Sequence, residues 1–458
     1  MRPGGLCAAL TPESLDDIFS QDVVGADYVE VRLDYLKEPQ QAENARWDRF
    51  PVPVIATCRG VDRGGRFQGS VTEECKILDT AVANGAKFVD IDFQYVRKFG
   101  TAEVIASYHN FDHTPPDLES VIEQACATSA QIAKVATHVN RWADNRRIFD
   151  ALARKWDKPI IATGMGDLGQ ITRIAGPSRG SFLSYAFSGN ESAPGQISLK
   201  DMLNVYKFRR LKSSTKLLGV LGMPVGHSKS PILHNRAFEA SNLDFAYVKL
   251  PANDLDDFFD NARQCGIEGF SVTIPHKVAV IPFLSRLELE ASRIGAVNTV
   301  SLTSEGWIGD NTDIHGVRAA LRSVGFDSAG KRVIILGRGG GAKAAEAAVE
   351  GAREVSLLSR SDDLESSDFD CDLLINATPV GMFPNVDESL VNGDIKAAVV
   401  FDMVYNPPIT QLLRNAQNQG KTIVQGSTML VAQAARQFEI WTGQQAPIDV
   451  YTPDWSGV

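Results

Sequence analysis

Short β-rich runs alternate with helix-like stretches at a regular pace from the start of the chain. Eight candidate strands precede residue 190: LCAAL (6–10), YVEVRL (28–33), VPVIATC (52–58), FVDID (88–92), EVIASY (103–108), QIAKVAT (131–137), PIIATG (159–164) and SFLSYAF (181–187). Strand–helix alternation implies parallel strands, and eight such units in about 200 residues predict a closed (β/α)8 barrel. A last helix pattern, LKDMLNVYKFRRLK, runs into the short polar stretch SSTK at 213–216, which divides the chain into residues 1–212 and 213–458. The alternation then resumes in two α/β blocks, 217–315 and 316–435, the second centred on KRVIILGRGGGAKAAEAA, with a final segment at 436–458. No internal repeat or low-complexity tract is visible.

A length of 458 residues exceeds what one hydrophobic core usually supports, in keeping with several domains. The net charge of -10 argues against a nucleic-acid or anionic-membrane partner, so a small anionic substrate needs local Arg and Lys clusters. Cysteines at 7, 58, 75, 126, 265 and 371 show no CxxC spacing, which points to reduced thiols and away from disulfides or zinc. With no charged leader and no run of eighteen apolar residues, neither a signal peptide nor a membrane span is expected. The first strand begins too early to leave room for a transit peptide, so the expected location is the cytoplasm, or the chain is a mature form.

Function in a (β/α)8 barrel sits at the carboxyl ends of the strands. Polar residues converge there: Glu30 and Arg32 end the second strand, Arg59 follows the third, Asp92 ends the fourth and His109 follows the fifth. Lys134 stands inside the sixth, between Ala133 and Val135. Such a lysine snorkels, pairs with a buried carboxylate, or is desolvated to a neutral nucleophile. Taken together, EVRLD (30–34), TCR (57–59), SYHNF (107–111), AKVAT (133–137) and SAPGQ (192–196) resemble type I dehydroquinate dehydratase over residues 5–210. The resemblance implies a Schiff base between Lys134 and the ketone of dehydroquinate, with His109 as general acid and base. It also implies that Arg173, in GQITRIAG, binds the substrate carboxylate, that Glu30, Arg32 and Arg59 contact substrate, and that a lid presents Ser192 and Gln196. Where the family is expected to place a glutamate partner for the histidine, VDIDF offers Asp92, with Asp90 two residues earlier on the same strand face. Asp92 is therefore the expected orienting residue.

The second half opens with GMPVGHSKSPILHN (222–235), followed by SVTIPHK (271–277), AVNTV (296–300) and GDNTD (309–313). Hydroxyls at Ser228, Ser230 and Thr273, the amide of Asn298, and Lys277 beside Asp313 are suited to hold a small polyhydroxylated acid and move its proton. The alternatives are that the serines cap a helix and that Lys277 and Asp313 form a structural salt bridge. In this order, ahead of a glycine-rich turn, the four segments resemble shikimate dehydrogenase, and the resemblance runs to the end of the chain. It implies a two-lobed α/β fold with Lys277 and Asp313 as proton-handling pair and Thr273, Asn298, Tyr405 and Gln433 positioning hydroxyls.

In VIILGRGGGA, Gly337, Gly339 and Ala342 fit GxGxxA, with Gly340 and Gly341 between them. Strand, turn and helix in that order predict a Rossmann lobe, where small residues let the backbone approach a pyrophosphate. EVSLLSR ends in Ser359 and Arg360, where an NAD site often places an acid; Arg360 favours NADP, while Asp362 and Asp363 follow closely. By the same resemblance Thr378, Met403 and Gly426 line the nicotinamide side. The two resemblances together imply a fused enzyme that dehydrates dehydroquinate and reduces the product to shikimate with NADP(H), without a metal. Carried beside it are a catabolic quinate dehydrogenase and a metabolite-sensing protein with one inactive half.

Overall fold

The structure, a computed structural model, describes residues 4–359, 362 and 369–451. These fall into two compact units: residues up to 217 together with 244–267, and residues 218–243 together with those from 268 onward.

The first unit is built on eight parallel strands: β1 (Gly5–Leu10), β2 (Tyr28–Arg32), β3 (Val54–Thr57), β4 (Phe88–Asp92), β5 (Glu103–Asn110), β6 (Ile132–His138), β7 (Ile160–Met165) and β8 (Leu183–Ser188). Their order is β7-β6-β5-β4-β3-β2-β1-β8, and the Phe182 N–H donates to the Ile160 carbonyl at 2.7 Å, bringing β8 back beside β7. This is the expected (β/α)8 barrel. Cys7, Tyr28, Ile55, Phe88, Ile105, Ile132, Ile161 and Leu183 contribute one buried side chain from each strand to a single cluster, as the inside of a closed barrel requires. Apolar residues plug the interior there and leave the strand ends free for chemistry.

Two details differ from the sequence expectation. The helix expected over LKDMLNVYKFRRLK stops early: an α-helix spans Leu199–Asn204 and a 3-10 turn spans Phe208–Arg210. Between them Lys207 takes φ +52°, a left-handed conformation that ends helical hydrogen bonding. The compact units also depart from a single cut at 213. After β9 (Lys216–Gly222), the segment holding β10 (Phe245–Pro251) and the helix Leu255–Ala262 belongs with the first unit. There the Trp142 indole N–H donates to the Pro251 carbonyl at 3.0 Å and its ring meets Phe258 edge-on at 4.9 Å.

In the second unit, β11 (Ile267–Val272), β12 (Arg286–Leu287), β13 (Thr299–Thr303) and β14 (Gly306–Asp310) form a mixed sheet, with β13 antiparallel to both β11 and β14. A second sheet is parallel throughout: β15 (Arg332–Leu336), β16 (Glu354–Leu358), β17 (Leu373–Asn376), β18 (Val399–Asp402) and β19 (Thr422–Gln425), in the order β16-β15-β17-β18-β19. Strand alternation splits its apolar residues between two cores, Val333 and Ile335 to one face, Ile334 and Leu336 to the other. The strand order reverses between β15 and β17, and a crevice opens outside the carboxyl ends of strands at such a point.

Candidate active sites

At the carboxyl end of the barrel a cavity is lined by Glu30, Arg32, Arg59, His109, Lys134, Arg173, Ser192 and Gln196, eight residues singled out from the sequence. Lys134 Nζ donates to Asp90 Oδ2 at 2.6 Å and lies 3.9 Å from Glu30 Oε1. Asp90 Oδ1 also accepts from Arg59 Nη2 and Ser107 Oγ, each at 2.8 Å. Burial opposes a charge on Asp90, but the cations of Lys134 and Arg59 overcome it and hold the carboxyl well below the usual carboxylate range. Glu30 accepts from Thr57 Oγ1 at 2.8 Å, and Arg32 is held by Asp34 through two hydrogen bonds of 2.9 and 2.8 Å.

His109 faces the cavity, its ring stacked on Phe111. Burial, with the nearby cations of Arg59 and Lys134, pushes its pKa well below that of a free histidine, so the imidazole is neutral near pH 7. Arg173 is buried and its pKa is lowered to about 10 by desolvation; its Nε has no hydrogen-bond partner among the described residues, while its Nη2 reaches the Pro194 carbonyl at 3.5 Å. The loop above it is held by Gln196, whose Oε1 accepts from Ser192 N at 2.8 Å and Ser192 Oγ at 3.1 Å.

Asp92 requires a correction. Its carboxylate accepts from the Gln94 N–H at 3.0 Å and caps the 3-10 turn Phe93–Tyr95, and it does not line the cavity. Burial raises its pKa. The strand ends at Asp92 and the backbone turns away, so Asp90, one pleat deeper, is the carboxylate beside Lys134. The i, i+2 spacing in VDIDF was the available signal for it. Thr163, Met165 and Tyr185 also line the cavity, and no motif marked them.

A second cavity, of about 170 Å³, is lined by Ser228, Ser230, Thr273, Lys277, Asn298, Asp313, Met403, Tyr405, Gly426 and Gln433, ten sequence candidates, together with Ser271, Met429 and Gln437. The Lys277 ammonium donates to Asp313 Oδ2. Asn298 Nδ2 donates to Asp313 Oδ1 at 2.8 Å, to Thr312 Oγ1 at 3.0 Å and to Gln433 Oε1 at 3.3 Å. The Asp313 N–H donates to Asn311 Oδ1 at 3.0 Å. The carboxylate is thus held by Lys277 on one oxygen and Asn298 on the other, while Lys277 remains partly exposed to the cavity. Ser228 Oγ accepts from the Ser230 N–H at 3.3 Å just before the helix Ser230–Ala240, whose N-cap is Lys229, and both serines line the cavity. Burial raises the pKa of Tyr405.

The glycine-rich turn follows β15 directly. Gly337 has φ +122°, and a Cβ there would lie 3.2 Å from the Ala377 carbonyl oxygen and 3.3 Å from Thr378 Cγ2, so the turns after β15 and β17 meet. The helix Gly340–Ala348 starts at this point with Gly339 as its N-cap. A Cβ on Gly340 would stand 3.2 Å from Lys277 Cδ and one on Gly341 3.3 Å from Met403 Cε, so this helix start borders the second cavity. Ala342 is fully buried. Exposed backbone amides at a helix start, at the switch point of a parallel sheet, fit a dinucleotide pyrophosphate. After β16, Ser359 donates through N and Oγ to Asp362 Oδ2 at 2.7 and 2.8 Å, and Arg338 Nη2 reaches the same oxygen at 3.2 Å. Arg360 and Asp363 lie outside the described residues. Among the described residues no group of three or more His, Cys, Asp or Glu could hold a metal ion, and no helix is long and apolar enough to cross a membrane.

Comparison with known proteins meets this geometry. Residues 6–213 match the model of type I 3-dehydroquinase, residues 220–300 that of the shikimate dehydrogenase substrate binding domain, and residues 426–450 that of the shikimate 5'-dehydrogenase C-terminal domain. The chain is 35% identical over 506 residues to the bifunctional 3-dehydroquinate dehydratase/shikimate dehydrogenase, chloroplastic, of Arabidopsis thaliana, covering 98% of this chain and 84% of that protein. It is 40% identical over 272 residues to a shikimate dehydrogenase (NADP(+)) of Methanopyrus kandleri, covering 52% of this chain and 94% of that one. Among solved structures, the dehydroquinate dehydratase and shikimate dehydrogenase from S. pombe AroM matches 99% of this chain and 98% of its own, at 24% identity and a TM-score of 0.42.

Proposed function

The chain belongs to the bifunctional 3-dehydroquinate dehydratase/shikimate dehydrogenase family, and from that premise we propose how its residues divide the two reactions. The observation that carries the reading is that each unit holds a polar cavity built around one lysine paired to one carboxylate: Lys134 with Asp90, and Lys277 with Asp313.

In the barrel, the Lys134 ammonium and the ketone of dehydroquinate condense to a protonated imine and water. Arg173 takes the substrate carboxylate, because the Nε of its buried guanidinium has no hydrogen-bond partner among the described residues and its fork matches a carboxylate. His109, neutral through its lowered pKa, removes a proton from the carbon next to the imine, and the C–H electrons neutralise the nitrogen as an enamine. The enamine expels the hydroxyl on the following carbon, which leaves as water with the proton that His109 returns. Hydrolysis of the conjugated imine frees Lys134 and the enone. Asp90 holds the nitrogen in place, and Glu30, Arg32, Arg59, Ser192 and Gln196 surround the ring.

In the second unit, Ser228, Ser230, Thr273, Asn298, Tyr405 and Gln433 hold the hydroxyls and carboxylate of dehydroshikimate. NADPH, when bound, supplies the hydride. Gly337, Gly339, Gly340, Gly341 and Ala342 are the cradle for its pyrophosphate, with Thr378, Met403 and Gly426 toward the nicotinamide. Lys277, oriented by Asp313, gives a proton to the ketone oxygen. Ser359, Arg338 and Arg360 are the cations and donors for a ribose phosphate, for which Asp362 must release Ser359. All six cysteines are free, which suits a reducing compartment such as the cytoplasm.

The test is a coupled assay of wild type, Lys134→Ala and Lys277→Ala given dehydroquinate and NADPH, with enone and cofactor absorbance followed separately. The expected result is cofactor oxidation by wild type, enone accumulation by Lys277→Ala and neither signal from Lys134→Ala. Enone formation by Lys134→Ala at the wild-type rate would overturn the assignment.

A further inference from the structure

The wall of the barrel cavity holds polar atoms that the dehydration as written does not use. Arg32 is engaged by Asp34, Arg59 and Lys134 by Asp90, and Glu30 by Thr57. Three buried atoms lining the same cavity have no hydrogen-bond partner among the described residues: Tyr185 Oη, Thr163 Oγ1 and Arg173 Nε. Buried polar groups are ordinarily paired, so several orphans gathered on one cavity wall mark a place where a ligand supplies the partners. Arg173 has its carboxylate. Of the two hydroxyls, that of Tyr185 belongs to a side chain against the reacting nitrogen: Lys134 Nζ lies 4.1 Å from the centroid of its ring.

Tyr185 is 5% exposed, and its place in SFLSYAF reads as an apolar core position. Pairing of β8 with β1, Tyr185 opposite Cys7, fixes where its ring enters the barrel. We propose that Tyr185 is a further positioning residue of the dehydration, its ring face holding the cationic nitrogen of Lys134 and its hydroxyl bonding an oxygen of the substrate ring. This rests on the Schiff-base reading of Lys134. The nitrogen is positive as ammonium and again as protonated imine, but neutral in the enamine between the two imine stages. An aromatic face attracts a cation through its quadrupole, and more strongly where water is excluded. The ring of Tyr185 therefore favours the protonated imine over the neutral enamine and keeps the nitrogen over one spot while the attached carbons react. The hydroxyl, left without a protein partner, gains one when a polyhydroxylated ring occupies the cavity.

Two substitutions separate ring from hydroxyl. Tyr185→Phe keeps the face and removes the oxygen; Tyr185→Leu removes both. For each, kcat and KM of dehydration are measured, and the adduct on Lys134 is trapped with borohydride in the presence of dehydroquinate and quantified by intact mass. Hydride from borohydride adds to the imine carbon and leaves a stable secondary amine. Turnover of dehydroshikimate by the same samples checks the rest of the chain. Tyr185→Phe is expected to raise KM roughly tenfold with wild-type trapping, and Tyr185→Leu to lower kcat roughly tenfold or more with less adduct trapped. Wild-type kcat, KM and trapping in both variants would overturn the proposal. If wild type itself traps no adduct, the Schiff-base reading fails instead. Should the Leu variant fail to fold, a ring-fluorinated phenylalanine at 185 keeps the shape, weakens the negative face and carries the same expectation.

Discussion

Asp90 and Asp92 lie two residues apart on one strand, and a period of two puts both toward the barrel interior. They part because β4 ends at Asp92, whose carboxylate turns to the Gln94 N–H while Asp90 stays among Lys134, Arg59 and Ser107. Asp90→Asn removes the carboxylate that two buried cations share and leaves Lys134 only Glu30 at 3.9 Å; losing one partner of a buried pair costs about 3–5 kcal/mol. Dehydration by Asp90→Asn is expected to fall by about a hundredfold or more, and that of Asp92→Asn to stay within a few-fold of wild type. The reverse order in steady-state assays would return the orienting role to Asp92. His109 gives the pH dependence. Its lowered pKa keeps the imidazole neutral below the ordinary histidine value of about 6.5, so kcat/KM for dehydration is expected to hold through that pH and fall only in more acid solution. The same shift means that the unfolded chain binds a proton that the folded chain refuses. The contribution is present above about 6.5 and is lost as pH falls below it toward the folded pKa. An acid limb centred at or above 6.5 would exclude His109 as the base.

Elements place these residues through contacts that side-chain chemistry does not announce. The helix Gly426–Thr442 carries Met429, Gln433 and Gln437 into the second cavity. Its first residue is glycine because the backbone of the preceding loop presses on it: a Cβ at 426 would lie 2.4 Å from the Val404 carbonyl oxygen and 2.5 Å from that of Met403. Backbone cannot yield as a side chain can, so Gly426→Ala must displace the helix start. Its KM for dehydroshikimate is expected to rise roughly tenfold or more while dehydration is unchanged, a result that kinetics on the two reactions would check. The eight barrel strands and the strand before the glycine-rich turn were legible because period-two patterns and buried apolar runs are local signals. The helix over 199–212 was not, because its end is decided by the left-handed Lys207 within an otherwise helix-permitting sequence. The glycine motif announced a turn, but the order β16-β15-β17-β18-β19 set that turn beside Thr378 and Ala377.

Across the whole molecule, the proposed division gives each of the two units the side chains of one reaction, so the activities are expected to survive separately. An equimolar mixture of Lys134→Ala and Lys277→Ala should convert dehydroquinate to shikimate with a lag, since one variant releases the enone and the other reduces it. A mixture that accumulates enone without oxidising NADPH would show that the second site does not accept intermediate from solution. Motif order, strand count and glycine spacing along the sequence were enough to determine the class of fold and the two reactions, and to single out the two lysines proposed at their centres. These are local properties: a residue type at a strand end or a turn carries its chemistry wherever the chain goes. Which carboxylate faces Lys134, that Tyr185 lies under its nitrogen, that the Nε of Arg173 is left unpaired among the described residues, and that Gln437 and Met429 reach the second cavity were decided by tertiary structure alone. Those facts depend on barrel closure and helix packing, which bring together residues far apart in sequence, and no local pattern encodes the direction in which a side chain finally points.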